Sequence, residues 1–170
     1  MKITYAQFRD MVEEAEPFAD LDAVKYDYVK NIDTIEQLVA QWDIGYFAYF
    51  YFKNIGKHRR LCEHGIAQSA QYSYLYATKF LKKRFRLGER AIAQSVHFSL
   101  HYAINVLHGK FEAGEYRISK NAEASYFYAM NALQGRFELG EPAIYYDDYF
   151  AQCYRQYLRD LDTRAAYTGD

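Results

Sequence analysis

The sequence predicts an all-α protein, a short α-solenoid-like array of helix-turn-helix repeats behind a helical N-terminal cap. A block of 26 residues recurs in the second half of the 170-residue chain. Apolar residues within each block lie three or four positions apart, as on one face of a helix. We expect one continuous domain, in which residues 1–61 form the cap and a degenerate repeat. Residues 62–170 then form the 26-residue repeats and a C-terminal closing helix.

The 26-residue period appears in several residue types at once. The matched sets are Phe85, Phe111 and Phe137; Gly88, Gly114 and Gly140; Glu89, Glu115 and Glu141; Ile92, Ile118 and Ile144; and Tyr76, Tyr102, Tyr128 and Tyr154. Agreement at five positions in one register excludes chance. Such self-similarity is typical of stacked units that bury their apolar sides against one another.

Each unit is expected to contain two helices. Gly109 and Gly135 follow the last apolar residue of the longer helix, where a left-handed residue can bond the free carbonyls. The glycine before each repeated Glu then turns the chain, and the Glu stabilises the first turn of the shorter helix. Pro142 suits that first turn. Asn121 and Asp147 are expected to cap the next longer helix.

Further helices are predicted at both ends of the repeats. Upstream they span residues 4–16, 20–31, 35–42 and 46–55, and the last two form the degenerate unit. A closing helix is expected over residues 149–161. The aromatic run at 46–52 indicates core packing, with base stacking on a nucleic acid as the alternative.

Two segments carry a resemblance to known proteins. Residues 109–115 read GKFEAGE and residues 135–144 read GRFELGEPAI, each after an S-x-x-Y-A sequence. They resemble a helical repeat found in uncharacterised proteins of tailed bacteriophages. The resemblance covers residues 62–150 and leaves out the first 60. It implies a phage origin and a role against host functions, and it brings no catalytic residues.

Positive charge is concentrated in the middle of the chain. Residues 53–90 contain ten basic and two acidic residues, a net charge of +8, whereas both flanking segments are acidic. Nucleic-acid phosphates, a nucleotide or an acidic protein surface could bind there. A solvated face that balances the acidic flanks is an equally good interpretation. The candidate binding residues of this segment are Lys57, Arg59, Arg60, Lys79, Lys82, Lys83, Arg84 and Arg86.

A histidine face is the second candidate site. On an uninterrupted helix of 3.6 residues per turn, His97, His101 and His108 lie within about 40° of one another and face outward. We expect them to form a polar recognition face together with Lys79, Lys82 and Asn105. A metal site is not expected, because no carboxylate shares this face and the two cysteines lie far apart in the sequence.

The sequence predicts a binding protein rather than an enzyme, without a cofactor or metal. It contains no Walker loop, H-E-x-x-H or G-x-S-x-G motif. Without a signal peptide or an apolar run long enough for a bilayer, we expect a cytoplasmic protein with no membrane partner. The leading hypothesis is a phage-encoded protein that binds a host protein, in particular one of a defence system, and blocks it by occupancy. The alternatives are a nucleic-acid or nucleotide-binding module in residues 53–90 and a structural or self-assembling homo-oligomeric phage component.

Overall fold

The computed structural model describes residues 44–56 and 59–167, and every regular element in these ranges is helical. The prediction of an all-α fold is therefore confirmed. Elements that follow one another in the chain pack against one another. The helices predicted over residues 4–16, 20–31 and 35–42 lie outside the described residues, and so does most of the expected cap.

The described chain starts with α1 (Ile44–Ile55) and α2 (Arg59–Ile66), which pack together. Longer and shorter helices then alternate. The longer helices α3 (Ala70–Tyr76), α5 (Val96–Tyr102) and α7 (Ala122–Tyr128) each continue into one π-helical turn, at Ala77–Leu81, Ala103–Leu107 and Ala129–Leu133. The shorter helices are α4 (Glu89–Ile92), α6 (Glu112–Ile118) and α8 (Glu141–Tyr146). Short 3-10 turns at Arg86–Gly88 and Glu138–Gly140 precede α4 and α8.

Polar side chains cap the N-termini of the longer helices. Asn121 accepts a hydrogen bond of 2.8 Å from the N–H of Ala124, and Asp147 accepts one of 3.0 Å from Phe150. Both predicted caps are therefore confirmed. Ser69 and Ser95 occupy the same position in α3 and α5. Each cap satisfies one of the N–H groups that a helix leaves without an internal partner.

The longer helices end differently from the prediction. The left-handed residues are Lys82, His108 and Gln134, with φ of 53°, 50° and 51°. Because the last turn is π-helical, the N–H of His108 reaches back five residues to the carbonyl of Ala103. The chain therefore reverses one residue before Gly109 and Gly135, so the left-handed role predicted for these glycines is wrong.

The core repeats the same packing along the chain. Tyr76, Tyr102 and Tyr128 are fully buried, and each ring meets a buried Phe edge to face at 5.1, 5.2 and 4.9 Å. These partners, Phe85, Phe111 and Phe137, thus lie in equivalent environments.

The glycine three residues after each Phe permits close approach rather than an unusual turn. Gly114 has right-handed backbone inside α6, and a Cβ there would lie 2.7 Å from the Cβ of Ser99 and 2.6 Å from the ring of Phe111. Gly88 and Gly140 meet the same pair of residue types. The short helix can therefore lie against the long one only without a side chain at this position.

The last helix, α9 (Asp148–Tyr167), is longer than the predicted 149–161. It is a continuous α-helix of 20 residues and has neither the π-helical turn nor the left-handed residue of the earlier long helices. None of the described helices is both long and apolar enough to cross a bilayer. At the other end, Tyr49 and Phe52 of α1 pack on Phe80, as the core interpretation of the aromatic run expects.

Candidate binding groove

Residues that match between units make the contacts that hold the units together. The hydroxyl of Tyr102 accepts a hydrogen bond from the N–H of Phe85 and donates one of 3.2 Å to the carboxylate of Glu89. Tyr128 and Tyr154 make the same two hydrogen bonds one and two periods later. Burial raises the pKa of all three phenols. Since matched residues serve the scaffold, residues that differ between units are the better candidates for binding.

Two of the predicted basic residues are already paired. Arg84 forms a salt bridge with Glu89, and this hydrogen bond raises the pKa of the guanidinium. Arg59 pairs with Glu63 at 2.9 Å. Because both guanidinium groups are paired, neither side chain is a free anion ligand.

The other basic candidates lie on the surface. Lys57 lies outside the described residues. The side chains of Arg60, Lys79, Lys82, Lys83 and Arg86 are exposed. Within the described part of the chain, Lys82, Lys83 and Arg86 make no salt bridge with another described residue.

The predicted histidine face is only partly formed. The rings of His97 and His101 lie 4.4 Å apart, and partial burial, followed by the charge of His97, lowers the pKa of His101. His108 instead has left-handed backbone beyond the π-helical turn. A shared face for His97, His101 and His108 requires 3.6 residues per turn throughout. The π-helical turn before His108 changes that spacing. Asn105 donates a hydrogen bond of 2.9 Å to the hydroxyl of Tyr74.

Aromatic pairs are present at two of the three junctions between α3, α5, α7 and α9. Between α3 and α5, the rings of Tyr74 and Phe98 lie 5.8 Å apart. Between α7 and α9, Tyr126 and Phe150 stand at the matching positions, with their rings 5.9 Å apart. Both pairs follow the 26-residue period.

The junction between α5 and α7 lacks this pair. Leu100 and Ala124 occupy the positions that hold Tyr and Phe in the other two junctions. An open groove of about 510 Å³ lies there, within the range of ligand sites. Its lining comprises Val96, His97, Leu100, His101 and Ile104 from α5 and its extension, and Asn121, Glu123, Ala124, Phe127 and Asn131 from α7 and its extension.

The groove has an apolar floor and a polar rim. Leu100, Ile104 and Phe127 are half-buried, whereas Glu123 and Asn131 are exposed. Glu123 is the only carboxylate among the residues that line it, and these include neither Lys nor Arg. Within the described residues, no three His, Cys, Asp or Glu side chains lie close enough together to hold a metal ion. The arrangement suits an apolar group with a polar or cationic neighbour.

Two larger depressions lie elsewhere. One, of about 910 Å³, lies between α7 with its extension and α9 from Tyr149 to Arg164, in the junction where Tyr126 and Phe150 retain their aromatic contact. The other, of about 710 Å³, lies beside Leu139 and Tyr146. Of these three depressions, only the groove between α5 and α7 lies where the Tyr and Phe pair is replaced. The groove between α5 and α7 is therefore the candidate site.

Sequence reasoning found His97 and His101 but missed Leu100, Ala124 and Asn131. The missing signal was the residue pair across a junction rather than the residues along one helix. Residues 24 positions apart stand opposite one another across these junctions. The pairs are Tyr74 and Phe98, Leu100 and Ala124, and Tyr126 and Phe150. That comparison identifies the groove.

No protein-family model, curated protein or solved structure matches this chain.

Proposed function

We propose that this chain is a binding scaffold that recognises a partner protein through the groove between α5 and α7. One observation carries the proposal, namely the replacement of a ring pair by Leu100 and Ala124 at this junction alone of the three. In the matching junctions, Tyr and Phe rings of the chain itself stand at these positions. A protein side chain is therefore the ligand whose chemistry fits the groove best.

The repeat supports a proposal for the partner. Because GKFEAGE and GRFELGEPAI resemble a helical repeat of tailed-bacteriophage proteins, we propose that the chain is phage-encoded and that its partner is a host protein. Binding would inhibit that protein, in particular a component of antiviral defence, by occupying its surface. A half-open groove of this kind places a few apolar contacts at its centre and polar contacts at its edge, as protein interfaces do.

The test compares a tagged wild-type chain with the variant Leu100→Tyr in pull-downs from host lysate. Tyr is the residue at the matching positions Tyr74 and Tyr126, so the variant should fold and should fill the groove. The control is Ala113→Leu on α6, where the matching residues are the exposed Leu87 and Leu139.

The expected result is a host protein captured by the wild type and by Ala113→Leu and lost with Leu100→Tyr. Equal capture by all three chains, or no capture together with normal phage growth after deletion, contradicts the proposal.

The exposed basic side chains support a second candidate function. Lys82, Lys83 and Arg86 follow one another closely at the surface and make no salt bridge with another described residue. We propose nucleic-acid or nucleotide binding through residues 53–90 as the alternative. Affinity for DNA or RNA should then fall steeply with salt, and the triple charge reversal Lys82→Glu, Lys83→Glu and Arg86→Glu should abolish it. No change in fluorescence anisotropy of labelled DNA, RNA or ATP at low salt excludes it.

A further inference from the structure

We infer that the groove between α5 and α7 receives a tyrosine side chain of the partner, in a segment with basic residues beside that tyrosine. This inference rests on the proposed function, because it names what the partner inserts. The same chain supplies the template for the contact, since it holds a tyrosine of its own in the matching junction.

The template is Tyr74, which lies between α3 and α5. Its ring is 5.8 Å from the ring of Phe98 and 6.3 Å from that of His101. Its hydroxyl accepts a hydrogen bond of 2.9 Å from the side-chain amide of Asn105. All three contacts come from one face of α5 and its π-helical extension. This face therefore recognises both parts of a tyrosine side chain, the ring and the hydroxyl.

The next long helix keeps most of this receiving face. One period after Phe98, His101 and Asn105 stand Ala124, Phe127 and Asn131, and all three line the groove. Phe127 keeps a ring at the second position, and Asn131 keeps the amide at the third. Ala124 provides additional space at the first position.

The ring that would fill this face is missing from the chain itself. Leu100 stands one period after Tyr74, so α5 offers an aliphatic side chain where α3 offers a phenol. The amide of Asn131 donates to the carbonyl of Phe127 in its own turn, at 3.0 Å, rather than to a tyrosine hydroxyl. An amide nitrogen carries two hydrogens, so it can also serve an incoming hydroxyl. Phenylalanine would fill the space without using this donor.

The charge at the rim of the groove determines which residues of the partner can flank its tyrosine. Glu123 contributes the one carboxylate of the lining, and no Lys or Arg opposes it. His97 and His101 face the groove from α5, and the lowered pKa of His101 favours its neutral form at neutral pH. A Lys or Arg next to the tyrosine therefore meets the carboxylate of Glu123 and no basic residue of the lining, and an acidic neighbour is repelled.

The first test uses small probes on the ¹⁵N-labelled protein. p-Cresol reproduces the tyrosine side chain, and toluene reproduces that of phenylalanine. We expect saturable NMR shifts at Ala124, Phe127 and the side-chain amide of Asn131 with p-cresol, and affinity about fivefold weaker for toluene, as expected for one net hydrogen bond. The absence of saturable shifts at these residues, or tighter binding of toluene, overturns the inference.

Two filled-groove variants provide the second test. Leu100→Tyr and Ala124→Phe each introduce the residue type found in the matching junctions, and both should abolish the p-cresol shifts. The control Ala113→Leu, on the short helix α6, should leave the p-cresol shifts unchanged. Shifts that persist in a folded Leu100→Tyr chain or a folded Ala124→Phe chain contradict the assignment, and the wild-type probe comparison decides it even if a variant unfolds.

Peptide probes separate this inference from the proposed function. The blocked tripeptide Lys-Tyr-Lys should bind more tightly than Glu-Tyr-Glu, and Lys-Ala-Lys should not bind. Preference for Glu-Tyr-Glu or equal binding of Lys-Ala-Lys overturns the tyrosine assignment, even where a pull-down depends on the groove. Conversely, if p-cresol binds in the groove but no partner protein is captured, the inference that the groove accepts a tyrosine side chain stands and the proposed function is contradicted.

Discussion

The hydroxyl of Tyr102 accepts a hydrogen bond of 2.7 Å from the backbone N–H of Phe85, 17 residues earlier in the chain. This contact joins a fully buried ring of α5 to the loop that leads into the preceding short helix, α4. Because the same hydroxyl donates to Glu89, one oxygen satisfies a buried donor and an acidic acceptor. Tyr128 and Tyr154 accept the same hydrogen bond from Phe111 and Phe137.

Replacement of Tyr102 by Phe should lower the free energy of unfolding by about 2 kcal/mol, because the buried N–H of Phe85 loses its acceptor. Urea denaturation followed by circular dichroism measures the change. Tyr116→Phe is the matched control, since Tyr116 is exposed, and its effect should stay within about 0.5 kcal/mol. Equal effects of the two substitutions would contradict the role of the hydroxyl.

Stability should fall at alkaline pH. Burial raises the pKa of Tyr154 from 10.0 to about 12, and it raises the pKa of Tyr102 and Tyr128 in the same direction. The folded chain thus holds these protons more tightly than the unfolded chain. Their contribution is fully present below the unfolded pKa and disappears as the pH rises through the folded one.

Urea denaturation across a pH series should therefore show a free energy of unfolding that declines from about pH 10 to about pH 12. Tyr154→Phe should make this decline shallower. Tyr146→Phe, at a residue that is 93 % exposed, should leave it as in the wild type. An unchanged slope in Tyr154→Phe would contradict the assignment.

Substitution of alanine at two glycines five residues apart should have opposite effects. Gly114→Ala brings a Cβ into Ser99 and Phe111 and should cost about 2 kcal/mol of stability. A Cβ at Gly109 meets only a backbone oxygen at 3.9 Å, so Gly109→Ala should raise stability by about 0.5 kcal/mol. Thermal denaturation distinguishes the two results, and similar melting temperatures would be evidence against the packing argument.

Glycine at a left-handed position should stabilise the chain. His108 has φ of 50°, a conformation that costs a residue with a Cβ about 1 kcal/mol. We therefore expect His108→Gly to raise the free energy of unfolding by up to about 1 kcal/mol, less the entropy that glycine loses on folding. Lys82→Gly and Gln134→Gly should act in the same direction. If all three glycine substitutions lowered the free energy of unfolding, the side chains that they remove would contribute more stability than the left-handed backbone costs.

Much of the local structure could be predicted from the sequence. Asn121 and Asp147 cap helices as expected, because a cap involves residues close together in the chain. The ends of the long helices could not be predicted in the same way. The π-helical turn before His108 depends on how a whole unit packs, and it invalidates a helical register calculated from one segment.

The candidate site was harder to predict than the fold. His97 and His101 attracted attention as unusual residues, whereas the groove exists because of ordinary ones, Leu100 and Ala124. The absence of an aromatic ring at these two positions leaves no sequence motif that a single helix would reveal. It becomes visible only when residues on neighbouring helices are compared as a pair, and this requires the packing of the long helices to be known.

The uninterrupted course of α9 limits how the chain can be lengthened. Each earlier long helix stops at a left-handed residue that redirects the backbone toward a new short helix, whereas α9 continues as one α-helix for 20 residues, about 30 Å. A copy fused after α9 would follow a helix that has no such redirecting residue. An engineered longer protein should therefore take its extra 26-residue module as an internal insertion, for example after Gln134, where the redirecting bend already exists.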